Sequence, residues 1–137
     1  MKKKGVIITS ILIIIIGACL AAIGIKSSIE TNLKELADLT ITNVDLTKVE
    51  DGVYEGSCKV FPVAAEVKVT INNHKITDIE LVKHDNGKGG PAEIIPSKVV
   101  EAQTLEVDIV SHATHSSKVI LKAIENAITK NPVDKSK

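Results

Sequence analysis

The sequence predicts an α+β protein: a small antiparallel sheet with helices packed on one side, preceded by a single N-terminal transmembrane helix. Three observations predict it. Gly5 to Ile25 is a run of 21 residues without a charge. Two later stretches, around Val67 and Ile79, alternate apolar and polar residues and are joined by Asn72-Asn73, the pattern of a β-hairpin with one wet face. The chain then reaches a segment whose apolar residues recur at helical spacing. Strands followed by helices, rather than alternating with them, give an α+β order.

The uncharged run comes first. At about 1.5 Å per residue it matches a hydrocarbon core of roughly 30 Å. Lys2, Lys3 and Lys4 precede it, and positive charge on that flank holds an N-terminus in the cytoplasm, leaving everything after Ile25 outside. The chain therefore divides into a membrane anchor at 1–25, a stalk or linker at 26–51, a domain at 52–130 and a polar tail at 131–137. A cleaved signal would have a shorter apolar core. Ile16-Gly17-Ala18-Cys19 resembles a lipobox, and lipidation at Cys19 is the alternative; against it, Leu20 to Ile25 stay apolar where a mature lipoprotein turns polar. Both readings leave the domain outside and bound to membrane lipid.

Composition excludes one class of partner. The 17 basic residues are all lysine, against 17 acidic residues, and without the first three lysines the balance is 14 against 17. Tyr54 and Phe61 are the only aromatic residues. A nucleic-acid binder needs a basic face and stacking platforms, so nucleic acid is excluded. With Cys19 in the apolar run and Cys58 alone outside it, no disulfide closes within the domain. Cys58 reads as a small half-buried strand residue rather than a redox thiol.

The remaining elements follow in order. Ile29, Leu33 and Leu36 recur at i, i+4, i+7, a short helix continuing outward; Asn43 to Asp51 reads as a linker. Val53 to Val60 reads as a strand, and Pro62 marks a break or edge. Glu66 to Ile71 places Val67, Val69 and Ile71 on one face with Lys68 and Thr70 on the other. Asn72-Asn73 tolerates positive φ in a turn, and the return strand sets Ile79 and Leu81 opposite Asp78 and Glu80. Asp85 to Pro91 is a Gly-rich connector without P-loop spacing. Ser97 to Thr104 reads as a helix with Pro96 in its first turn. From Ser116 onward, Ile120, Ile124, Ala127 and Ile128 form the apolar stripe of a second helix, which Asn131-Pro132 ends.

Chemistry concentrates in Asp108-Ile109-Val110-Ser111-His112-Ala113-Thr114. These residues form a polar turn that presents the Thr114 hydroxyl at a helix N-terminus. Unpaired N–H groups and the helix dipole make that end suited to a phosphate. Asp108 is expected to hold the turn by accepting backbone N–H bonds. Ser111 and Ser116 are expected to donate to the phosphate or cap the helix.

The pattern D-x-x-S-x-A-T resembles the flavinylation motif of the FMN-binding domain family. That family includes subunits of sodium-pumping NADH:quinone oxidoreductases and of Rnf-type complexes. The resemblance covers Gly52 to Ile128. It rests on Asp51-Gly52-Val53-Tyr54-Glu55-Gly56, on Lys75-Ile76-Thr77, on Glu101-Ala102-Gln103, and above all on Val107 through Ser117 running into Lys118-Val119-Ile120. It implies FMN joined to Thr114 by a phosphoester, with Asp108, Ser111, His112, Ala113, His115, Ser116 and Ser117 around it. It also implies an FAD:protein FMN transferase, working with magnesium, as the maturation partner. His112 stands where the family usually has Gly, whose freedom would permit a left-handed turn. Histidine tolerates positive φ better than most residues but fills the space.

A covalent flavin also makes physical sense. A non-covalent isoalloxazine needs an apolar pocket with stacking aromatics, and two aromatic residues do not supply one. A tether turns loss to solvent into an intramolecular equilibrium. The reading is a membrane-anchored extracytoplasmic flavoprotein, an electron carrier or redox-complex subunit rather than a stand-alone enzyme. It would take electrons from a membrane reductase or quinol and pass them to an external acceptor. The rival is a non-redox metal-binding or interaction module, with His112, His115, His84 and Asp85 as candidate ligands. Ser111, His112 and Asp108 contain triad residue types, but triads are assembled across a fold.

Overall fold

The computed structural model describes residues 2–130. The expected polar tail at 131–137, with the Asn131-Pro132 helix stop, lies outside the described residues, as does the side chain of Ile29. Helix α1 spans Lys2–Ala37. Within it Lys3–Gly24, 22 residues of mean hydropathy 3.0, is long and apolar enough to cross a membrane, with none of its best window buried. A signal sequence at an N-terminus has the same character. The chain separates into two compact units, Met1–Lys34 and Glu35–Lys137.

The second unit is built on an antiparallel meander of β1 (Gly52–Val60), β2 (Val63–Asn72) and β3 (Lys75–Asp85), in the order β1-β2-β3. Alternation decides which side is wet. Val63, Ala65, Val67, Val69 and Ile71 of β2 face the core, while Lys68 sits between Glu55 and Glu80 on the outer face at 3.8 and 4.0 Å. Exposed pairs of this kind add little stability. The β2–β3 turn falls one residue later than the sequence suggests, on Asn73 and His74, with φ of 52° and 57°. Two successive left-handed residues match the twist of a tight hairpin. The Asp51 carboxylate accepts the His74 N–H at 3.2 Å. Backbone N–H bonds from Asn73 and His74 hold this carboxyl below its ordinary range.

β3 carries two bulges. Val67 pairs with Leu81 but Glu66 with Lys83, leaving Val82 unmatched; Thr70 pairs with Asp78 but Ile71 with Ile76, leaving Thr77 unmatched. Strict alternation from the inward Leu81 would turn His84 out to solvent. The extra residue shifts the phase, so that His84 pairs with the buried Ala65 and its side chain is 3% exposed. One inserted residue moves a titratable ring from the wet face to the dry one.

Helix α3 (Thr114–Thr129) packs on β1 and β2, with Val119, Ile120, Ala123, Ile124 and Ala127 fully buried. Gly56 allows the close approach: a Cβ there would stand 2.2 Å from Ala123 O and 2.4 Å from Ala127 N, both backbone atoms. Helix α2 (Ile95–Ala102) lies beside β3, with Pro96 in its first turn as expected. It ends at Gln103, whose φ is 55°. The Gln103 amide stands in for a strand: Oε1 accepts the Ile76 N–H at 2.9 Å and Nε2 donates to Ile76 O at 2.7 Å.

Residues 35–51 differ most from expectation. They belong to the compact unit, which begins at Glu35 rather than at Gly52. Leu36 is fully buried, and Ile41, Val44, Leu46 and Val49 pack against the core. The polar face of α3 satisfies their backbone. Lys118 Nζ donates to Ala37 O at 2.7 Å, Lys122 Nζ donates to Thr40 O at 3.2 Å, and Glu125 Oε2 accepts the Thr42 N–H at 3.0 Å. A stretch without a regular ladder shows no periodicity, so its burial is invisible to pattern reading.

Candidate functional site

The polar turn and the helix start form one hydrogen-bonded unit. Ala113 N–H donates to Val110 O at 3.0 Å. The Ser117 hydroxyl, fully buried, donates to Ala113 O at 2.8 Å and accepts the Val110 N–H at 3.2 Å. Ser117 therefore ties the turn to the helix it precedes. This is the task expected of Asp108. Instead, the exposed Asp108 carboxylate accepts no hydrogen bond among the described residues, and its backbone O receives Lys98 Nζ at 3.4 Å.

His112 adopts φ of 63°, the left-handed conformation that its place in the motif suggested. Ala113 follows at the N-cap, and among the described residues no side chain caps the helix. Ser116 is not the expected cap: it is 2% exposed and lies under the Gly-rich loop. A Cβ on Gly89 would fall 1.9 Å from Ser116 Oγ. The loop that reads as a mere connector is thus seated on the first turn of α3, and a glycine is required there. Gly89 N–H donates to Asn86 O at 2.8 Å, holding the loop in that seat.

Thr114 is the first residue of the 16-residue helix α3, and it is exposed, as are Ser111, His112 and His115. A helix of this length concentrates roughly half a positive charge at its start. An exposed hydroxyl there, beside N–H groups without a side-chain acceptor, can carry a phosphoryl group whose oxygens complete the missing bonds. A groove lined by Lys98, Glu101, Ala102, Glu106, Val107 and Asp108 runs to the turn and contains no aromatic ring. Tyr54 is committed to the core, donating to Glu50 O at 2.7 Å.

The other constellations are not assembled. Ser111, His112 and Asp108 make no hydrogen bond to one another among the described residues. His84 is buried against Glu93 while His112 and His115 are exposed, and no group of three or more possible metal ligands forms among the described residues. Burial pushes the Cys58 thiol above its ordinary range, which disfavours the reactive thiolate.

Residues 63–129 match the FMN-binding domain family. Residues 63–129 are an FMN-binding domain. The match takes in the hairpin, the Gly-rich loop and all of α3, Thr114 included. An NADH:acrylate oxidoreductase of Vibrio harveyi is 33% identical over 99 residues, 70% of this chain and 9% of that protein. An uncharacterized protein of Treponema pallidum (strain Nichols) is 32% identical over 84 residues, 59% of this chain and 23% of that protein. This FMN-binding domain chain therefore spans less than a quarter of either relative. The residues present fit the cofactor's phosphate end: the dipole, the free N–H groups and the exposed hydroxyl all favour it.

Proposed function

We propose that this protein is a membrane-anchored, extracytoplasmic electron carrier whose FMN is esterified to Thr114. The observation that carries the reading is the exposed hydroxyl of Thr114 on the first residue of a helix that no side chain caps. FMN, when bound, supplies reversible one- and two-electron chemistry. The chain's own residues hold and orient it: Ser117 fixes the turn, His112 sets its hand, and the first turn of α3 receives the phosphate.

Attachment needs a partner. The Thr114 oxygen forms a bond to the FMN phosphorus of FAD while the phosphoanhydride bond breaks, releasing AMP. A base must take the hydroxyl proton, since a neutral hydroxyl is a weak nucleophile. Among the described residues no cradle for FAD stands beside Thr114, and we assign the base and the magnesium to an FAD:protein FMN transferase. Electrons then arrive from a membrane reductase or quinol and leave to an external acceptor. The redox name of the Vibrio harveyi relative supports that setting. Lys2 to Lys4 and the apolar helix support the anchor, with lipidation of Cys19 as the alternative.

Co-expression with a flavin transferase is expected to add one FMN less one water to the intact mass, with fluorescence that survives denaturation. Thr114→Ala should abolish the label and leave secondary structure intact, since an exposed residue changes stability by about 1 kcal/mol or less. Full covalent flavin on the Thr114→Ala variant would overturn the assignment. A colourless wild type beside an active transferase would overturn the carrier reading itself.

A further inference from the structure

The β-bulge at Val82 has a chemical result. His84 is turned into the core, and its Nε2 is the buried side-chain polar atom without a hydrogen-bond partner among the described residues. Its other nitrogen is engaged: Nδ1 lies 3.1 Å from Glu93 Oε1. A carboxylate only accepts, so Nδ1 donates to Glu93 when it carries the proton; Asn86 Nδ2, also 3.1 Å from Nδ1, is its donor partner in the other tautomer. Asn86 Nδ2 also donates to Glu93 Oε1, at 3.3 Å, bracing the carboxylate. Carboxylate and imidazole thus form an oriented pair with one nitrogen left over. An orphaned buried polar atom is destabilising, and bulges recur where a strand re-aims a side chain.

The location indicates the purpose. His84 and Asn86 lead directly into the loop whose Gly89 touches Ser116 in the first turn of α3. Across the sheet, Gly56 abuts Ala123 and Ala127, and Asn126 Nδ2 donates to Ser57 O at 2.9 Å. Those contacts set the middle of β1 under the C-terminal half of α3. His84 lies on the cross-strand row Cys58–Ala65–His84, two residues beyond Gly56 along β1, and the Gly89–Ser116 contact joins the end of β3 to the helix start. An unpartnered, buried imidazole nitrogen and an uncapped helix N-terminus therefore lie at the same end of the fold. When protonated, Nε2 needs an acceptor; the first turn of α3 attracts an anion. One ligand class satisfies both.

We infer that His84, oriented by Glu93, is a positioning residue for the phosphate carried at Thr114, with its protonated Nε2 donating to a phosphate oxygen. The inference rests on the flavin reading above and adds a residue outside the D-x-x-S-x-A-T motif. The groups around the ring are few. Glu93 and Asn86 face Nδ1, Ala65 lies across β2, and Ser116 lies behind Gly89. Lys83 and Asp85 flank His84 on its own strand and pair with each other at 3.4 Å. His112 and His115 stand exposed at the helix start.

The test reads the phosphate directly. A phosphodiester between Thr114 and FMN gains no proton of its own between about pH 5 and 8, where histidines change charge. A moving ³¹P resonance in that range therefore reports a neighbour. In the full-length flavinylated protein the resonance is expected to move with pH. It should keep moving in the His112→Gln/His115→Gln double variant and become flat in His84→Gln, whose amide can still reach Glu93. A flat wild-type signal, or an unchanged titration in His84→Gln, overturns the inference. Should His84→Gln fail to fold, the imidazole ¹⁵N signals of wild-type His84 decide: Nε2 must shift between unloaded and loaded protein, and identical signals overturn the inference. Intact mass separates the two levels of the argument. No added FMN defeats the flavin reading and this inference together, whereas full loading with an indifferent His84 defeats this inference alone.

Discussion

At the scale of single residues, the motif works through backbone geometry as much as through side-chain chemistry. His112 at φ 63° occupies a conformation that costs an L residue about 1–2 kcal/mol and glycine almost nothing. Glycine loses more chain entropy on folding, so the two effects nearly cancel. His112→Gly is expected to raise stability by about 0.5 kcal/mol and to raise the flavinylated fraction, because it removes bulk beside Thr114. Denaturant unfolding and intact mass check the two halves separately, and a stable variant that no longer loads would show that the imidazole assists attachment. Gly89 presents the opposite case. Its missing Cβ is the space that Ser116 occupies, so Gly89→Ala should cost about 1–3 kcal/mol through overpacking. It should also lower flavin loading while Thr114 itself is untouched. Wild-type stability in that variant would mean that the loop does not bear on the helix.

At the scale of elements, α3 serves three neighbours at once. Its apolar face packs on β1 and β2, its start presents Thr114, and its polar face holds residues 36–42 through Lys118, Lys122 and Glu125. A chain beginning at Gly52 would lose the buried Leu36 and expose the groups that Lys118, Lys122 and Glu125 now satisfy. Losing one buried leucine side chain alone costs about 2–5 kcal/mol. A chain beginning at Glu35 is expected to unfold cooperatively, and one beginning at Gly52 to be less stable by at least about 3 kcal/mol. Equal denaturation midpoints for the two would reduce the segment to a passive connector.

At the scale of the whole molecule, the apolar helix and the cofactor domain have separate tasks. Lys3–Gly24 has the length and hydropathy of a membrane span, and three lysines precede Gly5. Protease added to intact, wall-stripped cells should therefore digest the domain from Lys26 onward. A protected domain would reverse the topology. Globomycin tests the lipid anchor: accumulation of an unprocessed precursor would identify Cys19 as a lipidation site, and an unchanged protein would exclude lipidation there. In the proposed topology a tethered flavin would suit the domain, because a cofactor released outside the cell is not recovered.

The elements with a strict period were determined by the sequence alone. The uncharged run was legible from its length and composition; the alternation through Val67, Val69 and Ile71 and the stripe through Ile120, Ile124, Ala127 and Ile128 each bury one face, and a one-sided environment imposes one spacing. The D-x-x-S-x-A-T turn was also legible, since consecutive residues build it. Tertiary structure decided whatever depends on a partner distant in sequence. Ser117, not Asp108, holds the turn, because only folding shows which hydroxyl is buried beneath Val110 and Ala113. Residues 35–51 joined the domain because α3 supplies their hydrogen-bond partners some eighty positions later. His84 turned inward because a single unmatched residue in β3 reversed the phase of every position after it, and no local pattern records where a strand will slip.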